Sequence, residues 1–127
     1  MAIITPLKIT EDSTNASLNT CAAAGDSFTN TGIEFVRITN DHATDTYTVT
    51  ITPSTTDYSF PRHGKLSKSN TSVSITAGNS AYMGPFKPHV WNTDGKVTVN
   101  YIVGTSGTTA ISGTHLLKIE VLYLEQK

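Results

Sequence analysis

The 127-residue chain has one cysteine, Cys21, so no disulfide can close within it. A lone thiol also lacks the partner cysteines of a zinc site, and the expected setting is reducing or indifferent to redox. Charge is scarce too. Only 15% of residues are Asp, Glu, Lys or Arg, and the formal net charge is −1. Without a basic excess there is no electrostatic drive toward nucleic acid or an anionic membrane, and neither is expected as a partner. No apolar run approaches the ~20 residues that cross a bilayer as a helix. Met1-Ala2-Ile3-Ile4-Thr5-Pro6 lacks the basic start and long apolar core of a signal peptide. The sequons Asn15-Ala16-Ser17 and Asn70-Thr71-Ser72 are therefore expected to stay unmodified. No amphipathic helical stripe and no repeat of fixed period is visible.

Threonine, serine and asparagine fill the chain instead, between short alternating apolar runs. Threonine is stiff at χ1 and its hydroxyl tolerates water, which suits the exposed face of a half-buried strand. Tyr47, Val49 and Ile51 alternate with Thr48 and Thr50, and Pro53 ends that run. Val97, Val99, Tyr101 and Val103 alternate likewise. So do Leu117, Ile119, Val121 and Tyr123, with Leu116, Leu122 and Leu124 on the opposite parity. Val73 and Ile75 mark a short strand before Ala77-Gly78-Asn79. Ile33 to Ile38 shifts its apolar parity between Phe35 and Val36, which implies cover on both faces or a bulge. Ala16 to Thr20 reads as a short strand, and Gly25-Asp26, Asn40-Asp41-His42 and Gly104 to Gly107 as turns. About seven or eight short strands at this spacing predict one all-β domain over residues 1–127, an antiparallel β-sandwich of jelly-roll or Ig-like type.

Two ends and one loop stand out as binding elements. Ile3 to Ile9 is apolar but interrupted by Pro6, so it reads as an edge strand or a docked arm. An N-terminal arm over 1–12 and a C-terminal tail over 122–127 offer Ile3, Ile4, Leu7, Leu122 and Leu124 as candidate partner-binding residues. Ser54 to Asn70 is the longest stretch without periodicity. Its basic cluster, Arg62, His63, Lys65 and Lys68, is either a solvated loop or a contact for an acidic surface on a partner protein.

Catalytic patterns are missing. His42, His63, His89 and His115 have no metal-ligand spacing, and no cofactor is expected. Asp41, Asp45 and Asp57 read as turn residues. No Gly-x-Ser-x-Gly elbow and no phosphate-cradling glycine loop before a helix occurs. Tyr82, Phe86, Trp91 and Tyr101 fit either a sandwich core or a sugar-stacking platform, and core filling is the expectation.

The most distinctive segment is Tyr82-Met83-Gly84-Pro85-Phe86-Lys87-Pro88, then Trp91-Asn92, Asp94-Gly95 and Val97-Thr98-Val99-Asn100-Tyr101. Pro85 and Pro88 are expected to exclude a helix, and Asp94-Gly95 to turn the chain into a strand. Gly84-Pro85-Phe86 reads as a bend between sheets. With Phe28-Thr29-Asn30-Thr31-Gly32 and Glu34-Phe35 upstream, this ordered set resembles small structural proteins from the head-gene region of tailed bacteriophages. Those that decorate or cement the capsid are the nearest match. The resemblance runs from about Asp26 to Tyr123, and the Ser54 to Asn70 loop and the tail after Tyr123 depart from it. It implies a non-enzymatic sandwich that binds the phage major capsid protein on the capsid exterior, after assembly in the host cytoplasm. Repeated sites on a shell imply a symmetric homo-oligomer, dimer or trimer. A head–tail connector or tail component is the alternative, and a carbohydrate-binding sandwich the next.

Overall fold

In the computed structural model, residues 2–11, 18–54, 57–60, 64–67, 69–112 and 116–125 are described, 57–60 and 64–67 through their backbone. In chain order the strands are β1 (Ala2–Ile4), β2 (Leu7–Ile9), β3 (Asn19–Thr20), β4 (Asp26–Thr29), β5 (Phe35–Asn40) and β6 (Tyr47–Ile51). After them come β7 (Asp57–Phe60), β8 (Gly64–Ser67), β9 (Thr71–Ile75), β10 (Ser80–Met83), the one-turn helix α1 (Pro88–Trp91), β11 (Lys96–Val103) and β12 (Leu117–Leu124). One sheet has the order β1-β4-β11-β6-β9, and the other β10-β5-β12-β2, with β3 also paired to β12.

The core lies between these sheets. Tyr47, Val49 and Ile51 of β6 and Val97 and Val99 of β11 meet Val36 and Ile38 of β5 and Leu117, Ile119 and Val121 of β12 there. Each such side chain, fully buried, contributes about 1.5–3 kcal/mol. The all-β sandwich and the inward parity of the three clearest alternating runs are as the sequence predicts. The parity shift in β5 resolves as cover on both faces. Val36, Ile38 and Asn40 point inward while Phe35, Arg37 and Thr39 are half-buried outside, and the pairing with β12 runs unbroken from Leu117↔Asn40 to Leu122↔Phe35.

Other expectations are corrected. The sheets are mixed, because β1 pairs parallel with β4 and β2 parallel with β12. The N-terminal arm is thus two strands, one added to each sheet, and the supposed tail residues Leu122 and Leu124 belong to β12. Strands as short as two residues raise the number above eight. Asp26 opens β4 instead of a turn, and the turn before it closes through Gly25 N donating to Ala22 O. Asn40 ends β5 with its side chain donating to the Asp45 and Ile75 carbonyls. The Ser54 to Asn70 loop contains the β7–β8 hairpin, which takes Asp57 out of a turn and sits between β6 and β9, strands that pair directly at Ile51↔Thr71.

Pro88 starts a helix where the sequence reading expects none. At the first helical position its missing N–H forfeits no hydrogen bond, and Asn92 N closes the single turn on Pro88 O. The bend at Gly84-Pro85-Phe86 does carry the chain from β10 in one sheet toward β11 in the other. Gly84 has φ +111°, and a Cβ there would lie 2.9 Å from the Phe86 ring and 3.1 Å from Phe35 Cα. The passage therefore needs glycine.

Candidate functional site

Strand register assembles an outward face on the β10-β5-β12-β2 sheet. Residues paired across strands share a face, so three rows follow directly. Tyr82, Arg37 and Glu120 form one row, and Phe35, Leu122 and Leu7 the next. Leu124 and Ile9 form the third. A polar row lies at the other end, where Thr39 and Ser80 hydroxyls hydrogen-bond at 2.9 Å and Lys118 Nζ donates to Thr20 Oγ1 at 2.9 Å. The face therefore grades from polar to apolar along the strands.

Among the large apolar and aromatic residues on it, exposure concentrates at two positions. Tyr82 is 66% and Leu124 57% exposed. The Phe35 and Tyr82 rings lie 6.5 Å apart, while Phe35, Leu7 and Ile9 are half-buried. Leu122 is buried by this outer layer and is not a member of the inter-sheet core. Arg37 Nη1 donates to Glu120 Oε1 at 3.1 Å, with the Glu120 side chain 3% and that of Arg37 36% exposed. A carboxylate so enclosed depends on its partner, because removing one member of a buried pair strands the other. Arg37 thus presents a partly exposed side chain, its Nε buried, beside an exposed tyrosine. Aromatic residues and arginine are the types that dominate protein–protein contact energy.

Residues of the distinctive 28–35 and 82–95 segments converge elsewhere, in a buried clasp at one end of the sandwich. Asn30 Nδ2 donates to Phe86 O at 2.9 Å and to Asn92 Oδ1 at 2.7 Å, and Asn92 Nδ2 returns a bond to Asn30 O at 2.8 Å. Glu34 accepts from Thr31 N at 2.7 Å and from the Thr31 hydroxyl. Phe86 packs edge-on against Trp91, ring centroids 5.6 Å apart. Asp94 and Gly95 take φ 52° and 77° in a two-residue turn closed by paired bonds between Thr93 and Lys96. Such a clasp fixes how Gly84 to Asn92 crosses between sheets; it offers no open chemistry.

A second polar cluster is sealed inside. Tyr101 Oη donates to Asp26 Oδ2 at 2.6 Å, and Ala22 N donates to the same oxygen at 3.1 Å. The Cys21 thiol touches the Tyr101 hydroxyl, and burial pushes it up to about 12. Burial also raises Tyr101, with Cys21 and Asp26 adding to the rise. Neither group is a nucleophile at neutral pH, since the thiolate is the reactive form. Among the described residues, no group of three or more His, Cys, Asp or Glu is placed to hold a metal ion.

The candidate binding residues scatter accordingly. Leu7, Leu122 and Leu124 come together on the outward face, although Leu122 is covered. Ile3 is exposed on the opposite sheet, and Ile4 points into the core, which removes it as a contact. Lys65 lies in β8; Arg62, His63 and Lys68 fall outside the described residues. Sequence reasoning missed Phe35, Arg37 and Ile9 and expected Tyr82 in the core. The parity shift at Phe35 and the second apolar face of the last strand were the available signals. Trp91, Phe86 and Tyr101 are core, so Tyr82 alone of the four platform candidates is exposed. No protein-family model matches the chain, and no curated protein or solved structure matches it.

Proposed function

We propose that this chain is a non-enzymatic structural protein that docks on the major capsid protein of a tailed phage and stabilises the assembled head from outside. The observation that carries the reading is the outward face of the β10-β5-β12-β2 sheet, with Tyr82 exposed beside the Arg37–Glu120 pair and Leu124 exposed two rows along. A face on rigid strands suits a cementing role, since little of it must be ordered on binding. Binding only the assembled shell stabilises that shell by mass action. The ordered resemblance of Phe28 to Phe35 and Tyr82 to Tyr101 supports the phage setting.

The test has two arms. In purified virions and tail-free heads, mass spectrometry should find this chain near parity with the major capsid protein; a ratio of a few per cent assigns it to the neck or tail. Tyr82→Ser combined with Leu124→Ser should keep the thermal midpoint within a few degrees, because both side chains are exposed. The same variant should lower shell affinity by roughly tenfold or more, since truncating a contact hot spot costs ~2 kcal/mol. Unchanged shell binding by the folded variant would remove this face from the reading.

A further inference from the structure

We infer that the N-terminal segment Ala2–Ile9 is an exchangeable element, so that two copies of this chain can complete each other's sheets. Its occupied site lies along the β4 edge of one sheet and the β12 edge of the other. The segment joins them through three paired residues each, Ala2↔Asp26 to Ile4↔Phe28 and Leu7↔Leu122 to Leu124↔Ile9. Both pairings are parallel, the slightly weaker arrangement per residue. Both strands are the outermost of their sheets, so withdrawing them breaks no other strand pair among the described residues. A single side chain of the segment, Ile4, enters the inter-sheet core.

A second copy is the occupant that fits. Its residues 2–9 reproduce every register pair, the Ile4 anchor and the bond from Glu125 N to Ile9 O at 2.8 Å. Reciprocal exchange therefore leaves the native contacts unchanged and needs no new surface. Nine residues, 10–18, connect β2 to β3, and such a length reaches at most about 32 Å when extended. The entropy cost of association then opposes exchange, and high local concentration reduces that cost. In the exchanged form Leu7 and Ile9 of one copy complete the outward face of the other. The inference goes beyond capsid docking and is decided in solution without any shell.

Cysteine capture tests it. Ile9 and Leu124 are register partners outside the core, and neighbouring strands lie within disulfide reach. Ile9→Cys protein and Leu124→Cys protein are mixed while folded, incubated at high concentration and oxidised, and the bridges are mapped by mass spectrometry. Exchange predicts that the mixed dimer bridged between positions 9 and 124 dominates, grows with concentration and outweighs both same-variant dimers. A mixed dimer no more abundant than chance collision gives would overturn it. The double variant Ile9→Cys/Leu124→Cys, kept dilute, must bridge within its own chain; failure there removes the pairing on which exchange depends.

Discussion

Asp26, Tyr101 and Cys21 show how a core built from alternating apolar residues accommodates polar ones. Asp26 Oδ1 is buried without a hydrogen-bond partner among the described residues, so Oδ2 and its two donors carry the compensation. Tyr101→Phe removes the shorter of them. Leaving a buried acceptor under-satisfied costs about 1–3 kcal/mol, which a lowered urea midpoint at unchanged m-value would register. The raised Cys21 value makes a separate claim about pH. Between about 9 and about 12 the folded state keeps a proton that the unfolded chain gives up. Stability contributed by the neutral thiol is therefore complete below pH 9 and declines as pH rises through that window. Thermal midpoints collected from pH 8 to 11 should fall less steeply for Cys21→Ala than for the parent. Equal slopes would show that the thiol is not the titrating group.

Arg37 and Glu120 make the third residue-scale case. Arg37→Met leaves the enclosed Glu120 carboxylate unpaired, whereas Arg37→Met with Glu120→Leu replaces both charges by apolar volume. The single variant should be the less stable of the two, a reversal of simple additivity that a double-mutant cycle reads directly. Neither residue announces this role in the sequence. Arg37 lies 83 residues before its partner, and the pair meets only because β5 and β12 are neighbours in register at Arg37↔Glu120.

At the scale of elements, local chemistry wrote some features and hid others. Asp94-Gly95 is legible as a turn because both positions need a positive φ, which those residue types tolerate. The bend at Gly84 is legible for the same reason. The one-turn helix α1 is not, since four residues are far too few to form a helix by themselves. It is held by its packing, with Val90 and Trp91 in the core and Ser54 N and Oγ donating to Val90 O at 2.9 Å. The N-terminal segment is the sharpest case. Pro6 argues for an edge or an arm, and the structure makes it an edge of both sheets at once. Deleting residues 1–9 should therefore lower the thermal midpoint by more than about 5 °C and promote aggregation, because two strand edges and the core around Ile4 are opened. A deletion variant as stable and as soluble as the full chain would return the segment to the status of a free arm.

For the whole molecule, composition and period 2 determine that the chain is an all-β sandwich. Each alternating run must bury one face, and short strands do so only by stacking sheets. The same patterns identify most of the inward side chains, since inward parity is a local property of each strand. Which strands become neighbours is not local. The parallel pairings of β1 and β2, the burial of Glu120, the exposure of Tyr82 and the outward rows that bring Phe35 beside Leu122 and Leu7 all depend on register between segments far apart in sequence. Alternation states that a strand has two faces. Only the tertiary structure decides which residues stand side by side on the outer one, because that is fixed by the strands flanking it and not by the strand itself.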